Sequence, residues 1–425
     1  MNNIPAGYKQ TEVGVIPEDW EVKPIGELHP FVTSGSRGWA RFYSDQGTPF
    51  IRITNLSRYS INLDLADIRF VRLQTNNSEG ARTELQLGDV LISITADIGI
   101  IGYVSANIPR PAYINQHIAL VRFDFARIDP QFISYFLASE RQQKHFRALT
   151  DSGAKAGMNL TTVKQVRLAL PKTLPEQRAI ATALSDVDAL INSLDKLIAK
   201  KRDIKQGAMQ ELLTGKRRLP GFSGEWEVTT IGSVCQIVGR IGFRGYTVND
   251  IVTEGNGAIA ISPSNIQGNK TDFSKCTYVS WQKYEESPEI KIDNGDVLLV
   301  KTGSTFGKTA LVQSLPEKAT LNPQVVVFKN IRINNQFLGY MMAFPIMQNQ
   351  ISAAVVGGAL PTLSQKLVAG FMLPVPQSKT EQTAIATILS DMDAEIAVLE
   401  RKRDKTRLLK QGMMQELLTG RIRFN

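Results

Sequence analysis

The segment from Glu176 to Gly215 returns from Glu381 to Gly420 without a gap, an offset of 205 residues in a chain of 425. Of the 40 aligned positions 25 are identical, among them Ala179-Ile180-Ala181-Thr182 against Ala384-Ile385-Ala386-Thr387 and Met209–Gly215 against Met414–Gly420. Upstream echoes are weaker but keep the same order. Trp20-Glu21-Val22 with Gly26 matches Trp226-Glu227-Val228 with Gly232, and Gly88-Asp89-Val90-Leu91 matches Gly295-Asp296-Val297-Leu298. A repeat this long dictates the plan: globular module, helix, globular module, helix.

Each repeated segment carries helix start and stop signals. Thr173-x-x-Glu176 and Ser378-x-x-Glu381 read as capping boxes, Pro175 suits a first turn, and Gly215 and Gly420 suit left-handed stops. About 40 residues at ~1.5 Å each predict a rod of roughly 60 Å. Apolar residues step by four and three through Ile180, Leu184, Val187, Ile191, Leu194 and Ile198. The second copy has Ile385, Leu389, Met392, Ile396 and Leu399. That is a coiled-coil seam. It fades at Lys201 and Lys205, and at Arg403 and Lys410, before Gly207 and Gly412 interrupt it at a cost of about 1 kcal/mol each.

Charge sets the expected pairing. The first half of each helix is acidic (Asp186, Asp188, Asp195; Asp391, Asp393, Glu395, Glu400), and the second half is basic, from Lys200 to Lys205 and from Arg401 to Lys410. Antiparallel packing matches each acidic half with a basic one, whereas parallel packing sets like against like. The same order also suits each helix dipole, and both effects can operate together.

The modules read as α+β. Apolar, β-branched runs at Pro49–Ile53, Asp89–Ile94, Ile118–Phe123, Ala258–Ile261, Asp296–Val300 and Val325–Phe328 predict strands. Helical stretches are expected near Asp129–Ala148 and Asn335–Ala353. No apolar run reaches the ~18–20 residues of a membrane span, and the opening Met-Asn-Asn-Ile-Pro-Ala-Gly lacks signal-peptide regions. A chain without membrane association, in the cytoplasm, is expected.

Catalytic patterns are missing. Two cysteines, Cys235 and Cys276, and three histidines form no zinc or disulfide spacing. Gly303-Ser304-Thr305-Phe306-Gly307-Lys308-Thr309 looks like a phosphate loop, but it has three residues between its glycines where that loop needs four. It reads better as a turn beside a basic surface. Asn322-Pro323-Gln324 lacks the second proline and the aromatic of amino-methyltransferase motifs. No metal site is expected, and no cofactor bound by this chain.

The positive candidates are arginine–aromatic loops opening each module. Arg37, Trp39, Arg41 and Tyr43 lie in the first, and Arg240, Phe243, Arg244 and Tyr246 in the second. Guanidinium groups grip phosphates or fork onto guanine, and glycines let backbone approach a groove. Arg52, Asn55, Ser264 and Asn265 end the following strands and are candidates for base edges, with Lys301 and Lys308 nearby. A chain with 49 Lys+Arg against 40 Asp+Glu, formal charge +9, fits an anionic partner.

The whole pattern resembles the specificity subunit of Type I restriction–modification enzymes, over essentially the full length. The carriers are the tandem layout, the Trp-Glu-Val entries, Gly-Asp-Val-Leu in mid-module, the Glu-Gln helix starts and the Gln-Glu-Leu-Leu-Thr-Gly exits. The resemblance implies target-recognition domains at 1–171 and 216–375, each followed by a spacer helix, at 172–215 and 376–425. Each domain would read half of a bipartite, asymmetric site in double-stranded DNA. The helices, marked by the seam residues above, would pair antiparallel, set the spacing and dock two modification subunits. Those partners would carry S-adenosylmethionine and methylate adenine, and restriction subunits would use ATP and Mg. The chain itself would be non-catalytic. Two other classes stay open: a DNA-binding regulator whose rods only dimerise it, and the specificity subunit of a methylation-only system.

Overall fold

Both repeated segments are helices of 39 residues, Leu174–Leu212 and Lys379–Leu417. Gly215 and Gly420 follow them at φ +68° and +69°, the left-handed stops that only glycine adopts without strain. The computed structural model describes residues 4–73, 78–151, 157–354 and 362–424. By contact it falls into two units, Met1–Lys196 with Glu400–Asn425, and Leu197–Leu399. Each unit therefore holds one module, part of the helix that follows it and part of the other helix.

The capping boxes are only half made. Thr173 Oγ1 and Ser378 Oγ each accept from the amide three residues on, at 3.4 Å. The glutamates do not turn back. Arg423 takes Glu176 in the first unit, and Arg218 takes Glu381 at 2.6 and 2.7 Å in the second. A bidentate charge-assisted pair outcompetes a single backbone amide.

In each unit the helix segments run antiparallel, as the charge pattern requires. In the first, Asp188 meets Lys410 at 2.7 Å and Asp195 meets Arg407 at 3.1 Å. In the second, Asp393 meets Lys205 at 2.7 Å and Glu395 meets Lys201 at 2.6 Å. As one residue number rises its partner's falls. The seam packs inward: Ile180, Leu184, Ile191 and Leu194, with Ile385, Leu389 and Ile396, are buried, while Val187, Met392 and Leu399 are half-buried. These seam side chains are core, so they offer no surface for the subunit docking expected of them. Leu190, Leu197, Ile204, Val398, Leu408 and Leu409 are exposed.

Each module centres on an antiparallel sheet. In the first its order is Phe31–Ser34, Ile118–Arg122, Val90–Ser93, Ile101–Tyr103. The second repeats this with Gln236–Gly239, Val325–Lys329, Val297–Val300 and Thr309–Leu311, then adds Asn269–Thr271, parallel to Thr309–Leu311, and Ile266–Gln267. The inner strands are apolar without a break because both faces are covered. Val90 and Ile92 face a core shared with Ile180, Leu184 and Leu417, while Leu91 faces a second core with Ile51 and Ile114. Likewise Val297 and Leu299 pack with Ile385 and Leu389, and Leu298 and Val300 with Ile259 and Leu321.

The mid-module motif is structural. Gly88 and Gly295 turn left-handed into the strand. Asp89 then accepts from the Gln86 amide and pairs with Arg122 at 2.7 Å, as Asp296 accepts from the Asp293 amide and pairs with Lys329. Burial pushes both carboxyls upward and the basic partners pull them back. Trp20 packs edge-on against Phe132 and Trp226 against Phe337, beside the helix-stop glycines Gly420 and Gly215 of their own units.

A second sheet of four strands completes each module. Its order is Tyr113–Ile114, Thr48–Ile51, Arg69–Val71, Tyr43–Ser44 in the first, and Ile251–Val252, Tyr278–Ser280, Gly257–Ile261, Ala319–Leu321 in the second. The expected module helices are each broken in two. Pro130–Ala138 and Glu140–Asp151 meet at extended Ser139, and Asn335–Ala343 and Pro345–Ala353 at extended Phe344, which precedes a proline. No helix among the described residues is long and apolar enough to cross a membrane.

Candidate nucleic-acid interface

In the first module the arginine–aromatic loop leaves the strand Phe31–Ser34. Gly35 passes so close to Asn115 that an added Cβ would lie 2.2 Å from its carbonyl. Arg82 fastens the loop through Thr33 Oγ1 (2.7 Å), Ser34 O (2.9 Å) and Ser36 Oγ (2.6 Å). The turn Trp39–Phe42 follows. Trp39 is 2% exposed, stacked on Tyr113 and against Phe50. It anchors the turn and offers no face to a base, contrary to the sequence expectation. What the turn presents is Arg37, Arg41 over the Phe42 ring at 4.7 Å, and Tyr43, all exposed. Arg72, also exposed, joins them through its amide to Phe42 O.

The strand-end asparagines are corrections as well. Asn55 is 1% exposed: its Oδ1 accepts from the Arg52 amide at 2.9 Å and its Nδ2 donates to Asp64 O at 2.8 Å. Asn265 is equally buried, accepting from Ser262 and donating to Asp272 O and Lys275 O. Both amides shape their own loops, leaving nothing for a base edge. Arg52 is half-buried and paired with Asp67 at 3.0 Å.

In the second module Arg240 is 4% exposed. It donates to Leu321 O (2.9 Å), Thr320 Oγ1 (2.9 Å) and Arg244 O (3.1 Å), and desolvation lowers its pKa. This is a strut between strand and loop, not a reading arginine. Tyr246 accepts from Asn322 Nδ2 at 2.8 Å, and Arg244 donates to Glu286 O. The Phe243 side chain lies outside the described residues. Lys301 is half-buried, its amide donating to Gln324 O, while Lys308 and Ser264 are exposed.

Ser264 and Lys308 come together in an open cleft of about 540 Å³, with Gln267, Ser304, Thr305 and Gln324, which sequence reasoning did not choose. The signal lies in Gly303–Lys308 and Asn322–Gln324, two polar, glycine- and proline-bearing stretches that resemble phosphate-loop and methyltransferase motifs. Gly303–Lys308 joins the antiparallel strands Val297–Val300 and Thr309–Leu311, so it is a hairpin turn and opens no helix. In the first module the corresponding loop ends carry Arg58, paired with Asp97, the fully exposed Tyr59, and His117 bonded through Nδ1 to Thr95.

Groups suited to reaction chemistry are scarce. Among the described residues no three His, Cys, Asp or Glu side chains are placed to hold a metal. Burial pushes the Cys235 thiol up to about 12, so it stays protonated. The exposed groups of the two loop regions are hydrogen-bonding and cationic.

A family model described as Type I restriction modification DNA specificity domain matches residues 17–204 and again 223–406. A Methanocaldococcus jannaschii chain, provisionally described as the MjaX type I restriction enzyme specificity subunit, is 26% identical over 98% of this chain and 96% of its own. The MjaVIII type I restriction enzyme specificity subunit of the same organism is 25% identical over 61% of this chain and 63% of its own. Among solved structures, the S subunit of a Type I restriction–modification system from M. genitalium superposes with TM-score 0.62 at 15% identity, covering 98% and 97% of the two chains.

Proposed function

The chain belongs to the Type I restriction–modification DNA specificity family, and on that premise we propose that each module reads one half of a bipartite duplex site while the helices hold modification subunits and set the spacing. Family membership makes it a non-catalytic DNA-recognition subunit. The finer reading is that adenine methylation with S-adenosylmethionine, and cleavage with ATP and Mg, belong to modification and restriction subunits assembled on it in the cytoplasm.

One observation carries the half-site reading: the module-to-helix contacts recur at the 205-residue offset while the loops do not. Tyr135 donates to Asp188 and Tyr340 to Asp393, both at 2.8 Å. Gln177 accepts from the Asp129 amide at 3.0 Å and Gln382 from the Asn334 amide at 2.8 Å. The mounting is constant, whereas the loops differ: Arg37 and Arg41 are exposed on one module, while their counterparts Arg240 and Arg244 are buried and half-buried and bonded within the other. Two different readers on one mounting suit an asymmetric site. Docking on the helices is supported by their exposed apolar side chains. In the first unit, Ile191, Leu408 and Met414 also line a cleft of about 1330 Å³, together with Arg141 and Arg407.

Exchanging residues 216–375 for the same region of a relative tests this reading. The expected product assembles with the modification subunit and methylates a site altered in one half alone. A product altered in both halves, or unable to assemble, contradicts it.

A further inference from the structure

We propose that the open cleft of the second unit is that module's reading pocket, with Gln324 contacting an adenine edge and Lys308 anchoring a phosphate. The inference rests on the DNA-recognition reading above and adds the residues and the base.

Polar side chains in this unit fall into two classes. Arg240, Asn265, Asn322 and Tyr246 are engaged by neighbouring strands and loops. At the cleft, the Lys308 ammonium, the Gln324 amide and the Ser304 and Thr305 hydroxyls have no side-chain hydrogen bond or ion pair among the described residues. Gln267 has only contacts of 3.5 Å. Five side chains lacking good internal partners, on three segments of the chain, face one space.

Their backbones, by contrast, are fixed. The amides of Phe306, Gly307 and Lys308 donate to Gly303 O, Val300 O and Thr305 O, so these three are not available to cradle a nucleotide phosphate. Gln324 donates its amide to Asn322 Oδ1 and accepts at its carbonyl from the Lys301 amide. Gly303, at φ +101°, leaves room for the Gln324 side chain: a Cβ there would stand 3.0 Å from Nε2. A carboxamide with no internal partner, carried on a backbone held by two hydrogen bonds, matches a paired donor–acceptor target, which in duplex DNA is N6 and N7 of adenine. No lining residue is aromatic, so nothing is present to stack on an extruded base. Lys308, a flexible point charge, suits a phosphate.

The test is selection from a fully randomised duplex library by the full chain assembled with its modification subunit, comparing wild type, Gln324→Ala and Lys308→Ala. Both positions are exposed turn residues, and a thermal melt confirms that each variant folds. For Gln324→Ala, an adenine in one half-site should lose its preference, with about a tenfold loss on the wild-type site and the other half unchanged. For Lys308→Ala, all sequences should weaken alike and the salt dependence should fall by about one phosphate contact. If both variants select the wild-type motif with wild-type affinity and salt dependence, the pocket assignment is overturned while DNA recognition stands. A wild-type assembly that selects no motif overturns the recognition reading itself.

Discussion

Lys410 Nζ lies 2.7 Å from Asp188 Oδ1, with both side chains about nine-tenths buried. Tyr135 donates to the other carboxylate oxygen at 2.8 Å, and Lys410 sits 5.6 Å from its ring centre. Module, following helix and returning helix thus meet at one carboxylate. Burial and the adjoining carboxylate raise the Tyr135 pKa, so the phenol remains a donor at any working pH. Lys205, Asp393 and Tyr340 repeat the arrangement in the second unit.

Lys410→Ala should therefore destabilise the first unit by about 3–5 kcal/mol, because it leaves Asp188 buried without its cation. Replacing both partners with apolar residues of similar size should recover most of that loss. Denaturant unfolding of the single and double variants measures the difference. Equal stability of Lys410→Ala and wild type would contradict the role given to this pair.

The chain's last turn gives a pH dependence. Arg423 donates to Asp19 through both terminal nitrogens at 2.9 Å, and that hydrogen bond holds the Asp19 carboxyl below its ordinary 3.8. A carboxyl lowered on folding adds stability above its unfolded value and loses it as pH falls through the folded one. The stability gap between wild type and Arg423→Ala should be widest near neutral pH and shrink below about pH 3.8. Urea unfolding at a series of pH values checks this, and a pH-independent gap would contradict it.

Arginines that look alike in the sequence should behave differently. Arg240→Ala removes three hydrogen bonds, two of them buried, and should cost about 1–3 kcal/mol of stability without changing the bases read. Arg37→Ala with Arg41→Ala should leave stability near wild type and weaken recognition of the other half-site. Melting temperatures and selected motifs of the variants separate the two cases. A base change from Arg240→Ala would contradict its role as a strut.

These contrasts show what was legible in the sequence. Helices, their stops and their antiparallel pairing follow from local signals: the 205-residue repeat, glycines at left-handed positions, and acidic then basic halves. Inner strands such as Val297–Val300 follow from continuous apolar runs. The loops were less legible because burial depends on distant partners. Arg240 is buried by Leu321 and Thr320, and Trp39 by Phe50 and Tyr113. Gln324 joins the cleft because Val325–Lys329 lies beside Val297–Val300, a pairing no local pattern announces. Glu176 reads as a capping residue until Arg423, far along the chain, takes it.

Spacing between half-sites should follow helix length. Because each unit keeps its own antiparallel register, insertion must be made in both helices, after Leu194 and after Leu399. Four residues in each add about 6 Å, close to two base-pair steps. The spacer of the methylated site should lengthen by one or two base pairs with both half-sites unchanged. Methylome sequencing of cells carrying the double insertion reads this directly, and an active variant with the original spacer would contradict the ruler.

The most direct measurement is the site itself. Methylome sequencing of cells expressing this chain with its modification subunit should give one motif, two specified blocks of different sequence separated by a fixed unspecified spacer, with methylated adenine. A single continuous motif, or a palindrome with identical halves, would contradict recognition by two different modules on one mounting.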